Sequence, residues 1–339
     1  MPFNANAFVT VNPSFIMPEI LLPYSQASGA FDLLPTGEPL VRLGDGDLYA
    51  YIKRADIRTR MASGTAAYNM LPSVDITMSQ ISTPTYLQRV RAEYDHHDTA
   101  AAGNWGVSIV EANRLGMRQG HFQLARSSLL YGMNPANGEG LANTAGATSL
   151  NLPADPNGNT SVVTYDNGYM AFFLNSQIQG IKTRTNQLGI GRKFTILGPQ
   201  RVLGTFEYSV VQLVQFQRVG AGVTSTAGVV KDVAEWNDDE ITWAYDDTLI
   251  GQGANGTDLV IIVMPEVAKP DGGDWNTNEF AKLAPGLEAC TLQLADMAAP
   301  REIPVPLAGG AIDVLSELRV TPGWGVRPEA VSLISMLYQ

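Results

Sequence analysis

The densest group of ligand-type side chains in the sequence is Tyr94-Asp95-His96-His97-Asp98. Imidazoles and carboxylates bind metals, but neighbours on an extended chain point to opposite faces, so the two histidines cannot both reach one ion without a bend. Three His and one Cys in the whole chain are too few nitrogen and sulfur ligands for a closed zinc site, and there is no HExxH. Asp238-Asp239-Glu240 with Asp246 and Asp247 offers oxygen to a hard cation, yet that group lacks the twelve-residue loop spacing of an EF-hand and reads as a solvated helix-to-strand turn. Gly44-Asp45-Gly46-Asp47 is a turn sequence. Gly189-Ile190-Gly191 before Arg192 and Lys193 resembles a phosphate loop in composition only, because the glycines precede a strand instead of joining a strand to a helix. No GxSxG elbow is present, and Cys290 reads as a small buried hydrophobe. The residues therefore assign no catalytic, metal-binding or cofactor-binding site, and the expectation is a protein that is not an enzyme and carries no cofactor.

Composition points the same way. The 339 residues carry 22 Lys plus Arg against 33 Asp plus Glu, a net charge of −11 with no basic block, which argues against a surface that grips nucleic acid. Charged residues are 16% and apolar ones 45%: the chain can bury a core, and so little charge implies an outside hidden against partners. The 33 Gly and 20 Pro favour strands and turns over a helical bundle. The apolar runs are short, as in Leu259 to Met264, and no leader-like segment opens the chain, so it reads as soluble, non-secreted and without a membrane partner.

Along the chain, residues 1–65 read as an extended N-terminal arm punctuated by Pro2, Pro13, Pro18, Pro23, Pro35 and Pro39. Its Phe15, Leu21, Phe31, Leu33 and Leu34 are too apolar for water and should lie on the body or on a neighbour. Period-two alternation over Ser73–Met78 and Tyr86–Tyr94 predicts two strands joined through Ser79–Thr85, a ribbon that is marginal alone and needs a surface to lie on. Helical spacing over Asn104–Tyr131, with Asn104 as N-cap, predicts one long helix weakened by Gly116 and Gly120. A loop and hairpin follow over Asn134–Asn159, and then Asn167–Leu188 (helix), Lys193–Leu197 (strand), Thr226–Trp236 (helix), and strands over Glu240–Leu249, Asp258–Val267 and from Pro304 onward. This is an α+β pattern without regular βαβ alternation.

Four stretches carry a resemblance: LLYGMNPANGEGLAN (129–143), RKFTILGPQRVLGTF (192–206), GTDLVIIVMPE (256–266) and GWGVRPEAVSLISML (323–337). In this order, behind an arm, a ribbon and a long helix, the chain resembles the major capsid proteins of tailed bacteriophages, with the Hong Kong 97-like fold, from about residue 65 onward. The resemblance implies an extended β-hairpin loop at 66–100 reaching over an adjacent subunit, a spine helix and peripheral domain at 101–164, an axial domain at 165–300 and a return to the peripheral domain at 301–339. It implies hexamers and pentamers closing an icosahedral shell, located in the virion after assembly in the host bacterial cytoplasm. A portal at one vertex, a separate scaffolding protein, a cement or decoration protein and loosely held double-stranded DNA are the implied partners.

Within that resemblance Tyr86, Arg89, Arg91, Phe15 and Leu21 are the expected intersubunit contacts, and Gly116 with Gly120 the expected hinge of the spine helix. Some relatives crosslink through a loop lysine; the absence of Lys between Lys53 and Lys182 predicts a shell without isopeptide bonds. An encapsulin-like nanocompartment shell, and in another class a soluble α+β enzyme or binding protein, are the alternatives.

Overall fold

In the computed structural model the described residues are 28–34, 41–44, 46–58, 75–104, 106, 108–185, 187–189, 191–211, 224–266, 292–293, 295–296, 300–307 and 310–339. The elements are β1 (Val41–Arg42), β2 (Tyr49–Arg58), β3 (Asp75–Pro84), β4 (Tyr86–Tyr94), α1 (His96–Asn104), α2 (Ile109–Tyr131), β5 (Thr148–Asn151), α3 (Asn167–Arg184), β6 (Lys193–Gly198) and α4 (Gln200–Tyr208). They continue as β7 (Val210–Val211), β8 (Thr224–Ser225), α5 (Thr226–Trp236), β9 (Glu240–Tyr245), β10 (Asp258–Val263), β11 (Leu292–Gln293), β12 (Ala295–Asp296), β13 (Arg301–Pro306), β14 (Ile312–Val320), β15 (Trp324–Gly325) and β16 (Val331–Met336).

A mixed sheet ordered β5-β16-β10-β6-β9 forms one half. Its centre, DLVIIV in β10, is buried at every position, so alternation serves two cores instead of a core and water. Val260 and Ile262 join Phe194, Ile196, Leu174, Ile178, Val202, Phe206 and Val230 under α3, α4 and α5. Leu259, Ile261 and Val263 pack on the other side with Leu197, Leu129 and Leu130 of α2, Leu141 and the 3-10 turn Ala30–Leu33. The apolar stretch around Leu33 and Leu34 thus lies on the chain's own body; Gly29 N donates to Tyr245 O, and Thr195 Oγ1 to Asp32 O. The other half is β4 beside β14, which β13 and β12 also pair, with α2 across one face.

Three expectations change. The ribbon pairs β3 with β2, Asp75 opposite Arg58 through Pro84 opposite Tyr49, and not with Tyr86–Tyr94, which pairs with β14. Ser79–Thr85 is no turn: β3 continues through it to Pro84, and only Thr85 separates β3 from β4. The ribbon's paired strands are therefore 49–58, inside the segment read as arm, and 75–84, instead of a hairpin at 66–100.

The long helix is two. α1 ends at Asn104, Gly106 takes φ 71°, and Ser108 caps α2 by accepting from Glu111 N at 3.4 Å, a Ser-x-x-Glu signal outranking Asn104. Finally, 148–151 pairs with β16 in parallel instead of closing a hairpin, and β16 lies beside β10. Residues 301–339 are thus shared between both sheets, so the boundaries at 165–300 and 301–339 do not follow the sheets.

Candidate assembly surfaces

Strand β4 alternates half-buried and exposed positions along its whole length. Tyr86, Gln88, Val90, Ala92 and Tyr94 make one row, Leu87, Arg89, Arg91 and Glu93 the other. Arg89 Nε donates to Glu317 Oε1 at 2.7 Å, Arg91 Nε lies 2.8 Å from Asp313 Oδ2, and Arg91 Nη2 donates to Glu93 Oε2 at 2.7 Å. Both arginines thus have carboxylate partners within their own chain, as cross-strand neighbours do. Both remain more than half exposed, so these pairs add little stability and leave a mixed-charge face to solvent.

Tyr86 is turned inward. Its hydroxyl donates to Glu139 Oε1 at 2.7 Å, and Glu139 Oε2 accepts from Met133 N and Asn134 N. Burial first, then the Glu139 bond, push the Tyr86 phenol up to about 12. Phe15 and Leu21 lie outside the described residues.

The ribbon leaves the body between two anchors: Thr85 N donates to Leu48 O, and Arg319 Nη1 donates to Asp47 O at 2.9 Å and Thr85 Oγ1 at 3.0 Å. Among the described strands, β2 and β3 pair only with each other. Ten residues each reach about 33 Å, and such a two-stranded ribbon is marginal in water by itself. One face carries Tyr49 and Tyr51, rings 6.1 Å apart, with Met78; all three are exposed. Because the ribbon starts at Tyr49, Lys53 stands on it; the expectation of a lysine-free ribbon, and the prediction drawn from it, fall with the pairing that produced them. The half built on β10 exposes apolar rings as well, among them Tyr169, Phe172, Tyr208 and Trp236.

On α2, Gly116 and Gly120 are exposed, and a Cβ at either would meet nothing within 4 Å. Close packing does not explain them. Alanine at each should stabilise the isolated subunit by about 1 kcal/mol, since helical glycine costs that much in unfolded-chain freedom. Urea melts of the two single variants measure it, and a loss of stability at either would contradict this placement.

The candidate ligand groups do not converge. His96 and His97 open α1 instead of lying on a strand, with rings 3.9 Å apart and Asp95 Oδ1 accepting from Asp98 N. No three His, Cys, Asp or Glu side chains could hold a metal among the described residues, and no helix among them is long and apolar enough to cross a membrane.

The acidic turn at 238–247 is not simply solvated. Asp239 is buried against Lys182, 2.8 and 2.9 Å away, and also accepts from Arg192 N. Asp246 accepts from Ser28 Oγ and Thr248 N, and Asp247 accepts from Gln200 N at the start of α4. Asp258, in β10, holds Arg201 through both oxygens. Sequence reasoning missed these links; the one available signal was Lys182 directly after the core residues Ile178 and Ile181. Gly191 lies against Asp238, too close for any Cβ, and Gly189 takes φ 75°, so close packing explains the first and a left-handed turn the second.

No family model matches the chain, and no curated protein does. Solved structures match along nearly its whole length. A chain from the capsid of Myoviridae phage XM1 aligns with TM-score 0.63 at 10% identity, over 95% of this chain and 96% of that one. A chain from Microbacterium phage Oxtober96 gives 0.57 at 10%, covering 95% of each. One from the capsid of cyanophage P-SCSP1u gives 0.56 at 12%, covering 97% and 93%. The chain has the Hong Kong 97-like fold. At such identities the likeness is one of architecture, and the Hong Kong 97-like fold here means two sheets, a long helix and an outlying ribbon.

Proposed function

We propose that the protein is the major capsid subunit of a tailed bacteriophage, assembling as hexamers and pentamers into an icosahedral shell around double-stranded DNA. The observation that carries this is the ribbon of β2 and β3, which among the described strands pair only with each other, on a body whose fold matches a capsid chain over 95% of its length. In this reading the ribbon, with Tyr49, Tyr51 and Met78, lies on the adjacent subunit. Arg89 and Arg91 exchange part of their intrachain pairing for carboxylates across an interface, and Tyr86 supports that strand from below. Phe15 and Leu21 belong to an arm that reaches a neighbour. The half built on β4, β14 and α2 is the peripheral domain, and the half built on β10 and β16 the axial domain. Gly116 and Gly120 give α2 its freedom to bend as the shell changes size.

A separate scaffolding protein, a portal at one vertex, a cement or decoration protein and assembly in the host bacterial cytoplasm complete the reading. The acidic balance suits a wall that confines duplex without holding it.

Light scattering with negative-stain imaging of the purified chain, alone and co-expressed with the candidate scaffold, tests this. Rings, tubes or closed shells of five- and six-membered units are the expected result. Monodisperse monomer or dimer under both conditions would overturn it.

A further inference from the structure

We infer that His121 is an acid-sensitive latch: a proton taken up at this ring loosens α2 from β14 while the β10-centred sheet stays intact. His121 lies on the inward side of α2 with Met117 and Ser128, all buried. Its Nε2 is 3.0 Å from Ser316 Oγ on β14, and Ser316 is buried too. A hydroxyl donates or accepts, so either tautomer of the neutral ring fits. The imidazolium brings a charge and a second N–H donor into the contact between helix and sheet, which is costly without a carboxylate to meet it.

Among the described residues no carboxylate is placed to meet that charge. Glu302 on β13 is in register with Ser316, but Arg114 of α2 already holds it at 3.2 Å. The helix-facing row of β4 presents Tyr86 and Tyr94 as its titratable groups, and Glu139 behind Tyr86 is engaged by that phenol and two backbone amides. Along α2 the remaining charges are Glu111, which pairs with Arg114, Arg118 and Arg126. The turn Ala30–Leu33 brings Asp32, exposed, and α1 brings His96, His97 and Asp98, all exposed. Burial accordingly holds the His121 ring below the ordinary histidine range.

The undocked ring takes its proton near pH 6.5, the docked ring only at lower pH. The contact is therefore at full strength above about 6.5 and weakens as pH falls, by up to tenfold in the docking equilibrium per pH unit, until the docked ring itself protonates. Gly120 precedes the ring with nothing packed against it, so α2 yields there at little cost. The core under α3, α4 and α5 contains no residue of α2, and the other face of β10 meets α2 through Leu129 and Leu130, beyond the stretch 109–126, so the sheet does not share the effect. The inference rests on the fold alone and holds for subunits and assembled particles alike.

Amide hydrogen exchange of the full chain, corrected for intrinsic rates, reads it. Between pH 6.5 and 5.5, protection across 109–126 should fall by about fivefold while 193–198 and 258–263 hold. His121→Gln, which keeps a hydrogen-bonding side chain without the titration, should remove the fall. Equal loss in both proteins, no loss in the wild type, or equal loss in both sheets would overturn it. Exchange of the histidine C2 proton, followed by mass spectrometry against pH, tests the same point without a variant: His121 should titrate below the ordinary histidine range, and titration within it would sink the latch.

Discussion

Replacing Lys182 with methionine should lower the stability of the subunit by about 3–5 kcal/mol, the cost of leaving one member of a buried ion pair without its partner. Lys182 is the bulkiest fully buried side chain of α3, and its ammonium spans both oxygens of Asp239 at 2.8 and 2.9 Å, with side chains 2% and 0% exposed. The same carboxylate accepts from Arg192 N, and Arg192 Nε donates to Gln187 Oε1. The pair therefore ties the end of α3, the loop before β6 and the start of β9 together. In Lys182→Met, Asp239 keeps one backbone donor in an environment that does not tolerate a lone anion. Adding Asp239→Leu should recover part of the loss, leaving Arg192 N short of an acceptor. Urea unfolding of both variants decides the matter; a loss under about 1 kcal/mol in the single variant would show that water reaches the pair.

Gly140→Ala should be at least as damaging, and in most expression conditions should yield insoluble chain. Gly140 has φ 87°, a region that costs any residue with a Cβ. Its Cβ would meet Gly132 N and Tyr131 Cα at 2.6 Å, distances at which backbone must move. Across the crossing Gly132, at φ 71°, faces Glu139 with C at 2.7 Å and O at 2.9 Å from its own absent Cβ. A third glycine closes the knot: Gly140 N donates to Gly323 O, Gly323 N donates to Ser128 O, and a Cβ on Gly323 would sit 2.8 Å from Leu129 C. The end of α2, the loop after it and the link from β14 to β15 thus pass within backbone contact of each other. Recovery of soluble protein with a melting temperature within a few degrees of wild type would contradict this packing, since a cost of several kcal/mol moves a chain of this size by more than that. Gly138→Ala, at φ 72° but with only Asn143 O at 3.6 Å, is the control for conformational strain without the clash.

The stretches that carried the family resemblance were legible for local reasons. DLVIIV reads as buried strand because an unbroken apolar run bounded by turn residues has few other uses, and KFTILGPQRVLGTF ends its strand at Gly-Pro and opens a helix. Asp166 caps α3 as its residue type favours. The exposed glycines on α2 and the alternation of β4 were visible for the same reason: they depend on neighbours a few residues away.

Pairing was not legible. The stretches 73–78 and 86–94 both alternate, and a period of two states that a chain is extended but not which strand lies beside it. The true partner of β3 precedes it in a segment whose prolines elsewhere suggested an arm, and the partner of β4 lies more than two hundred residues away. Asp239 gave no sign of burial because Asp-Asp-Glu after a helix usually faces water, and its cation sits 57 residues upstream.

By itself the sequence determined the main helices and the central strands, the α+β class, the likeness to the Hong Kong 97-like fold and the absence of any local catalytic motif, because each rests on short-range periodicity, capping and composition. Only the tertiary structure decided which strands form the ribbon, that Lys53 stands on it, that Arg89 and Arg91 find acids in their own chain, and that Lys182, His121 and three distant glycines meet their partners. Those contacts close long loops, and loop closure is a property of the whole folded chain, which no window of sequence contains.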